Sequence, residues 1–447
     1  MARLFGTDGV RGVANTELTC EQALKIGRAA AIVLTQHARH KPKILIGRDT
    51  RISGEMLEAA LTAGLCSVGA EVHLLGVVPT PAVAYLVGLY KADAGIMISA
   101  SHNPAEYNGI KIFNTNGYKI PDEYEEEIEA YVLGEKDEPP LAAGDRVGTP
   151  KRCANAVDDY VAHVCSTAGT GFDGLKVLID CANGSASVTA HKIFPALGAK
   201  AEIIAAQPDG VNINLCCGSM HIEALAERVR QGDYDLGIAF DGDSDRMLAC
   251  DAEGGFVDGD RLMAAFAVHM KAQGMLDRNT LVVTVMSNLG LMRCAKDQCI
   301  NIEVTKVGDR FVLEKMVAEG FALGGEQSGH LIFKHYATTG DGQLSAVQLL
   351  RMMKQTGKTL AELASVMTVY PQVMENVTVS KTAKGMLAAD KDIAALIAKW
   401  QEHLGENGRI LVRPSGTEPL IRVMAEGQDI AVIRRCVSEI AEAVKAL

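Results

Sequence analysis

Residues 43–61, KILIGRDTRISGEMLEAAL, pass from an apolar run into a segment whose apolar residues recur every three or four positions. The run predicts a buried strand over KILIGRD (43–49), and the spacing predicts a helix over 53–68 with Ser53 as its N-cap. The alternation continues through EVHLLGVV (71–78), a helical segment at 80–89, and AGIMISAS (94–101). Strand–helix repetition with nearly continuous apolar strands predicts a largely parallel sheet with helices on both faces.

The same alternation restarts twice further along the chain, after an acidic stretch and again after GGFVDGD (254–260). A last block begins near Pro371 and contains RILVRPSGTEPLIRVMAEG (409–427), which we interpret as one strand before a closing helix. We therefore predict an α/β fold of three similar mixed α/β domains with mostly parallel sheets, plus a smaller C-terminal α+β domain. The predicted domains span 1–150, 151–253, 254–370 and 371–447.

The composition is that of a globular enzyme: 447 residues, 48% of them hydrophobic, with a net charge of −11. Without a basic tract, this charge argues against a nucleic-acid partner and against a polybasic membrane surface. Eleven cysteines without zinc spacing, and no secretion signal in MARLFGTDGVRG (1–12), predict a reduced cytoplasmic protein. The longest uncharged apolar stretch, 74–90, contains two prolines and is too short to span a bilayer.

The segment ISASHNPAEYNGIKIF (98–113) places Ser101 at the end of a predicted strand, where open α/β sheets bind ligands. Adjacent Ser101 and His102 point apart on extended backbone, which disfavours a nucleophile–base pair. We expect an exposed hydroxyl that accepts and returns a phosphoryl group, with the Lys111 cation nearby. A plain serine turn stopped by a proline is the alternative.

The segment FDGDSDR (240–246) follows a buried strand and carries Asp241, Asp243 and Asp245 at alternating positions. Three carboxylates this close repel one another unless a cation lies between them. Oxygen ligands without histidine or cysteine are typical of Mg²⁺. We therefore favour a magnesium site over the alternative of a solvated acidic turn.

Two further loops carry polar groups among glycines. GGEQSGH (324–330) offers Glu326 and Ser328 to recognise sugar hydroxyls or an amine, and His330 to move protons near neutral pH. RPSGTEPLIR (413–422) predicts a phosphate-monoester pocket, with a surface turn as the alternative. Its candidate residues are Arg413, Ser415, Gly416, Thr417 and Arg422. Two smaller clusters, FGTDGVRG and GRDTRISG, add Arg11 and Arg48, of which Arg11 is the better candidate for the transferred phosphate.

Taken in this order, ASHNP, DGDSDR, GEQSGH and RPSGTEP resemble the loops of the α-D-phosphohexomutase superfamily, over essentially the whole chain. The resemblance implies a phosphoserine loop, a magnesium loop, a sugar-recognition loop and a phosphate-binding loop, one in each of four domains around a central cleft. FGTDGVRG, SASHNP, GGEQSGH and IRVMAEG are similar to the branch that acts on glucosamine phosphates. Met220 in CCGSMH departs from that branch, which usually has threonine there, but it lies outside the four loops.

The resemblance implies interconversion of glucosamine 6-phosphate and glucosamine 1-phosphate, on the bacterial route to UDP-N-acetylglucosamine and cell-wall precursors. Phosphorylated Ser101 would pass its phosphoryl group to the sugar phosphate, giving a hexosamine 1,6-bisphosphate that is both intermediate and primer. One Mg²⁺ per chain, held by the three aspartates and a phosphoserine oxygen, would neutralise charge on the transferring group.

The same resemblance implies roles for the nearby cations and for His330. Lys111, Arg11 and Arg246 would assist electrostatically, and His330 or Lys111 would act as general acid or base. A homodimer is the family expectation.

Other hypotheses remain open at this point. One is a mutase of the same superfamily that acts on mannose or glucose phosphates. Another is a phosphatase with an aspartyl nucleophile, because a strand ending in D-x-D is typical of that chemistry, although Asp245 stands where such enzymes carry threonine or valine. A non-catalytic sugar-phosphate sensor would need neither Ser101 nor the aspartates.

Overall fold

The computed structural model describes residues 4–6, 8–36, 39–415 and 419–447. The chain divides into two compact units. The first comprises Met1–Met286 and Ile300–Ser365, and the second comprises Ser287–Cys299 and Val366–Leu447. In the part of the chain described, no helix is both long enough and apolar enough to cross a membrane.

Among the described residues, the first sheet of the larger unit has seven strands in the order β1-β2-β6-β5-β3-β4-β7. They are β1 (Phe5–Gly6), β2 (Gly9–Val13), β3 (Lys43–Arg48), β4 (Glu71–Val77), β5 (Ala94–Ile98), β6 (Tyr107–Asn114) and β7 (Pro150–Arg152). Strand β3 pairs in parallel with both β4 and β5, whereas β6 runs antiparallel to β5. Apolar strands thus lie in the middle of the sheet, as their uninterrupted hydrophobic runs predict.

The helices that accompany this sheet in the described part of the chain are α1 (Cys20–Thr35), α2 (Ser53–Ser67), α3 (Thr80–Leu89) and α4 (Asp122–Val132). Helix α1 begins with a capping box in which Thr19 and Gln22 satisfy each other's backbone N–H groups. The prediction of Ser53 as the N-cap of α2 is wrong, because Ser53 is already helical and Ile52 occupies the cap without a side-chain hydrogen bond. The Ser53 hydroxyl instead accepts a hydrogen bond from Asn108 Nδ2.

The second sheet has the order β12-β11-β10-β8-β9. Its strands are β8 (Lys176–Asp180), β9 (Lys200–Ile204), β10 (Leu236–Phe240), β11 (Met247–Asp251) and β12 (Phe256–Val257). The helices of this block are α5 (Ala156–Ser166), α6 (Ala190–Ala196) and α7 (Ile222–Gln231). The parallel strands β8, β9 and β10 form one side, and β11 and β12 continue the sheet in antiparallel fashion.

The third sheet has the order β14-β13-β15-β16. Its strands are β13 (Thr280–Thr284), β14 (Asn301–Thr305), β15 (Leu323–Gly325) and β16 (Leu331–Phe333). Its helices in the larger unit are α8 (Gly259–Ala272), α10 (Asp309–Glu319), α11 (Gly342–Thr356) and α12 (Leu360–Ala364), while α9 (Leu289–Asp297) belongs to the smaller unit. Again β13 pairs in parallel with two neighbours, and β16 is antiparallel to β15.

The three α/β sheets therefore share one plan: a strand with a parallel partner on each side, and an antiparallel strand next to one of those partners. This plan confirms the predicted three similar mixed α/β blocks with mostly parallel strands.

The smaller unit contains an antiparallel sheet of β17 (Gln372–Thr378), β19 (Leu420–Gly427) and β18 (Gly408–Pro414) in that order. Its helices besides α9 are α13 (Lys381–Met386), α14 (Lys391–Leu404) and α15 (Ile430–Lys445). The prediction of one strand over 409–427 is wrong, because β18 and β19 pair with each other in antiparallel register. The α+β character of this block is confirmed.

Candidate active site

Three of the four motif loops occupy the same place in the shared sheet plan. Residues 99–106 join β5 to β6, residues 241–246 join β10 to β11, and residues 326–330 join β15 to β16. Each loop follows the carboxyl end of a strand with a parallel partner and leads into an antiparallel neighbour. Since open α/β sheets bind ligands at these strand ends, the plan presents three sets of polar side chains where a ligand is expected.

Ser101 lies on the first of these loops and is buried, with 1% of its surface exposed. The expectation of an exposed hydroxyl is therefore wrong. Its Oγ donates a hydrogen bond of 2.6 Å to Asp241 Oδ2 on the second loop, 140 positions away in sequence. Gly242 makes this approach possible, because a Cβ there would lie 2.6 Å from the Ser101 carbonyl oxygen. The hydroxyl is covered by another loop, which the local sequence around Ser101 does not reveal.

Asp241, Asp243 and Asp245 are all buried, and one carboxylate oxygen from each lies within 4.8 Å of the others. Burial, followed by the charges of Asp243 and Asp245, raises the pKa of Asp241 well above its ordinary value. Among the described atoms, Oδ1 of Asp243 and Oδ1 of Asp245 are buried without a hydrogen-bond partner. Unsatisfied carboxylate oxygens at this spacing fit a hard divalent cation such as Mg²⁺. The burial excludes the alternative of a solvated acidic turn.

Lys111 on β6 is buried among these acids. Its Nζ lies 2.9 Å from Asp243 Oδ2, 3.4 Å from Asp245 Oδ2 and 3.1 Å from Asp8 Oδ2. Burial by itself lowers the pKa of an ammonium, but these carboxylates outweigh it and raise the pKa of Lys111 well above its usual value. Lys111 is therefore a cation at neutral pH, which suits charge neutralisation better than proton abstraction.

Asp8 extends this charge cluster toward the third block. Arg11 and Lys119 both donate to the Asp8 carboxylate, and Lys119 also donates to Asp309 Oδ2 at 2.6 Å. Sequence reasoning named Arg11 but missed Asp8, Lys119 and Asp309. Asp8 stands between glycines in the same motif as Arg11, which was a usable signal. Lys119 and Asp309 lie 190 positions apart, and no spacing in the sequence indicates that they meet.

His330 lies between two carboxylates. Its Nδ1 is 3.6 Å from Asp245 Oδ2, and its Nε2 is 3.6 Å from Asp309 Oδ2. The Gly340 backbone N–H donates to Nε2 at 3.1 Å, so Nδ1 carries the proton of the neutral ring toward Asp245. Burial lowers the pKa of His330, but Asp245 and then Asp309 outweigh it, and the net shift is upward. A Cβ at Gly340 would lie 2.5 Å from the ring, so glycine is needed beside it.

The remaining candidates of the larger unit have varied surroundings. Arg246 Nη1 lies 3.2 Å from His102 Nδ1, and burial followed by the Arg246 charge lowers the pKa of His102 to about 4. Glu326 Oε1 accepts a hydrogen bond of 3.1 Å from the Gly308 backbone. The Ser328 Oγ is buried and has no hydrogen-bond partner among the described atoms. Ser328 thus offers an unsatisfied hydroxyl, whereas Glu326 already holds a neighbouring turn.

Arg48, the minor candidate from GRDTRISG, has carboxylate partners of its own. Its Nη2 lies 2.7 Å from Glu55 Oε1, and its Nε lies 3.6 Å from Glu58 Oε2. These pairs account for its charge within the helix α2 region, which favours a structural role.

In the smaller unit, Arg413 on β18 and Arg422 on β19 are directly opposite each other in the antiparallel register. Burial, followed by the neighbouring Arg422 charge, lowers the pKa of Arg413. Ser415 is buried, and its backbone N–H donates to the Leu420 carbonyl. Two like charges held face to face favour an anion between them. Gly416 and Thr417 lie outside the described residues.

Family models match all four blocks of the chain. The phosphoglucomutase/phosphomannomutase alpha/beta/alpha domains I, II and III match residues 2–138, 158–254 and 258–370, and the C-terminal domain of the same family matches residues 374–443. The chain therefore belongs to the phosphoglucomutase/phosphomannomutase family, and it is an enzyme of the phosphohexomutase type. The resemblance found in the four motifs is confirmed.

Individual relatives are closer still. A phosphoglucosamine mutase of Caldicellulosiruptor saccharolyticus is 54% identical over 447 residues, covering 100% of this chain and 99% of the relative. A phosphoglucosamine mutase of Clostridium novyi is 55% identical over 429 residues, covering 96% and 95%. Among solved structures, a phosphoglucomutase/phosphomannomutase family protein from Burkholderia thailandensis has a TM-score of 0.83 at 25% identity, covering 99% of this chain and 97% of the other.

Proposed function

We propose that this enzyme interconverts glucosamine 6-phosphate and glucosamine 1-phosphate, as a phosphoglucosamine mutase that supplies UDP-N-acetylglucosamine and cell-wall synthesis. The observation that carries the proposal is the contact between the Ser101 hydroxyl and the acid triad, 2.6 Å from Oγ to Asp241. A phosphoryl group on this serine would lie beside the carboxylates of the triad. A cation is therefore needed between them to compensate the negative charges. The name shared by the relatives at 54% and 55% identity supports the choice of glucosamine phosphates.

In this proposal Asp241, Asp243 and Asp245 hold one Mg²⁺ together with an oxygen of phosphorylated Ser101. Bound Mg²⁺ would supply positive charge that offsets the negative charge of the transferring phosphoryl group. The buried Oδ1 atoms of Asp243 and Asp245, which have no hydrogen-bond partner among the described residues, support this assignment. Lys111, fixed as a cation by its carboxylate neighbours, balances charge on the same side.

Arg11 and Arg246 are further cations for the transferred phosphate. Arg11 lies within hydrogen-bond range of Asn103 on the serine loop, and Arg246 contacts His102 on the same loop. Both guanidiniums are thus next to the residue proposed to carry the phosphoryl group. A guanidinium suits this role because it remains charged and presents several donors in one plane.

Each transfer exchanges one bond to phosphorus for another. The bond between Ser101 Oγ and phosphorus breaks as a sugar hydroxyl oxygen bonds to phosphorus, and Ser101 Oγ leaves with the electron pair of that bond. The hydroxyl proton passes to Nε2 of His330, which gives up its hydrogen bond from the Gly340 N–H. The resulting hexosamine 1,6-bisphosphate then presents its other phosphate, and Ser101 Oγ takes that phosphoryl group as His330 returns the proton to the departing sugar oxygen. Asp245 and Asp309 outweigh the effect of burial and raise the pKa of His330, which supports its assignment as the group that takes up the proton.

The phosphate that is not reacting needs a separate site. We assign it to Arg413, Ser415, Gly416, Thr417 and Arg422, which recognise a phosphate and nothing of the sugar. The facing arginines Arg413 and Arg422 support this assignment. Glu326 and Ser328 are assigned to the sugar, and the unsatisfied Ser328 hydroxyl supports that choice.

The test is phosphate transfer from labelled hexosamine 1,6-bisphosphate, the proposed primer, to the enzyme. We expect label on Ser101 that resists hydroxylamine, and none on a Ser101→Ala variant. Ser166→Ala, which changes an exposed serine of α5, is the matched control and should take up label like the unaltered enzyme. Hydroxylamine-labile label that survives Ser101→Ala would instead support an aspartyl nucleophile.

A substrate panel completes the test. Glucosamine 6-phosphate should turn over faster than glucose or mannose 6-phosphate, and the reverse order would favour a hexose mutase of the same family. Binding of glucosamine 6-phosphate without any turnover would favour a sensor.

We further propose a cytoplasmic location and a homodimer. All eleven cysteines are free thiols, which supports a reducing compartment. Light scattering on the purified protein would report the dimer, and a monomer at working concentration would refute it.

A further inference from the structure

Arg51, a residue of the GRDTRISG motif that the proposed mechanism does not use, is almost completely buried. Its guanidinium donates hydrogen bonds to the backbone of the serine loop. Nη2 donates to the Ser101 carbonyl at 2.9 Å and to the Asn103 carbonyl at 2.8 Å, and Nη1 donates to the Pro104 carbonyl. One side chain thus satisfies three carbonyls within four consecutive residues.

The guanidinium is itself held in place. Its Nε donates to Asp49 Oδ2 at 2.9 Å, and the other oxygen of Asp49 accepts the Arg51 backbone N–H. Ser99 Oγ donates to the same Asp49 oxygen at 2.6 Å and accepts the Ser101 backbone N–H at 2.9 Å. The backbone is therefore anchored on both sides of Ser101, at its N–H through Ser99 and at its carbonyl through Arg51.

Ser101 needs such anchoring because of its backbone conformation. Its φ is +51°, in the left-handed region that is unfavourable for a residue with a side chain. The loop persists in this shape only if the surrounding contacts determine it. A planar guanidinium is suited to the task, because it presents five donors in a fixed geometry, whereas lysine offers a single flexible ammonium.

Asn214 adds a second tie from the block that carries the acid triad. Its Nδ2 donates to the Ser101 carbonyl at 2.9 Å and to the Asn103 carbonyl at 3.0 Å. Arg51 from the first block and Asn214 from the second block therefore donate to the same two carbonyl oxygens. Their shared contacts fix the serine loop relative to the acid triad.

We propose that Arg51 is a positioning residue for phosphoryl transfer: it holds the backbone of residues 101–104 so that Ser101 Oγ stays directed at Asp241. The inference rests on the proposed role of Ser101 as phosphoryl carrier. Arg51 is too deeply buried to touch the sugar phosphate, so it acts on the transfer rate and leaves substrate binding unchanged. Misplacement of a reacting atom by about 1 Å can cost about 100-fold in rate.

The first test is Arg51→Lys, which keeps a cation beside Asp49 but cannot reach three carbonyls. We expect kcat to fall roughly 10- to 100-fold, while KM for glucosamine 6-phosphate stays within about twofold. The ³¹P resonance of phosphorylated Ser101 should also shift or broaden, because the loop is no longer held in one position. Arg351→Lys is the matched control, since Arg351 is partly buried and donates to the Thr167 carbonyl and the Tyr336 hydroxyl; its kcat should be unchanged.

A second variant keeps the test decisive if Arg51→Lys fails to fold. Ser99→Ala removes a smaller part of the same network and should also lower kcat without changing KM. Where both variants fold, the double variant should be made as well. The factor by which its kcat falls should be smaller than the product of the factors for the two single variants, because both substitutions act through one loop.

A wild-type kcat in Ser99→Ala or in folded Arg51→Lys would overturn the proposal, and so would a loss expressed in KM. Ser101→Ala in the same assay separates the two ideas. If it keeps turnover, the proposed function fails; if it alone is inactive, only the positioning role of Arg51 fails.

Discussion

Replacing Lys111 with methionine tests whether this ammonium compensates the buried acid triad. Its Nζ lies within 3.4 Å of carboxylate oxygens of Asp8, Asp243 and Asp245. Removing one partner of a buried ion pair costs about 3–5 kcal/mol, because the remaining charge is left without compensation. For a unit of this size, that loss lowers the melting temperature by about 5 °C.

Mg²⁺ should reverse part of this loss, because it brings positive charge to the same carboxylates. A ligand at about 100 times its dissociation constant stabilises the folded state by about 2.7 kcal/mol. We expect Mg²⁺ to raise the melting temperature of Lys111→Met more than that of the unaltered enzyme. The turnover of Lys111→Met should stay low both with and without Mg²⁺. Thermal unfolding with and without Mg²⁺ measures both effects.

A matched lysine on the surface provides the control. Lys192 pairs with Asp158 where both side chains are well exposed, so Lys192→Met should change stability by no more than about 1 kcal/mol. The charge argument is refuted if Lys111→Met has the same melting temperature as the unaltered enzyme and Mg²⁺ raises both by the same amount. Lys111 would then not compensate the charge of the triad.

Three more predictions concern single side chains. Asp243→Asn should weaken Mg²⁺ binding by roughly tenfold or more and lower activity in parallel, because ligand charge sets affinity; unchanged calorimetric affinity would contradict the assignment, and Asp158→Asn is the exposed control. Burial raises the pKa of Asp341 to about 6, so ionisation of its carboxyl group destabilises the folded state. This loss of stability is absent below about pH 4 and grows to about 3 kcal/mol above pH 6. The melting temperature of Asp341→Asn should therefore exceed that of the unaltered enzyme by a margin that grows as pH rises through this window. A margin that does not change with pH would refute the burial argument. Arg422→Ala should remove about 1.5–3 kcal/mol of phosphate binding, raise KM and release more free bisphosphate; a higher KM without added release would mean that the loop binds substrate without retaining the intermediate.

The predicted elements agree with the structure where a local pattern is sufficient. The apolar run at 43–49 became β3, and the helical spacing at 80–89 became α3 with the same bounds. The prediction of one strand over 409–427 is wrong because SGTEP interrupts the apolar residues on either side, and glycine and proline are turn residues. The predicted Ser53 cap is wrong because α2 already includes Ser53, and its hydroxyl accepts a hydrogen bond from Asn108 of strand β6 instead.

The sequence alone determined the class of the fold and the family, because strand and helix periods and the four motifs are properties of neighbouring residues. Tertiary structure decided which residues meet. Ser101 is covered by Asp241 from 140 positions away, and Lys119 joins Asp8 to Asp309 across two blocks. Burial and pKa depend on such distant neighbours, because desolvation and Coulomb interactions are set by distance in space and not by separation along the chain.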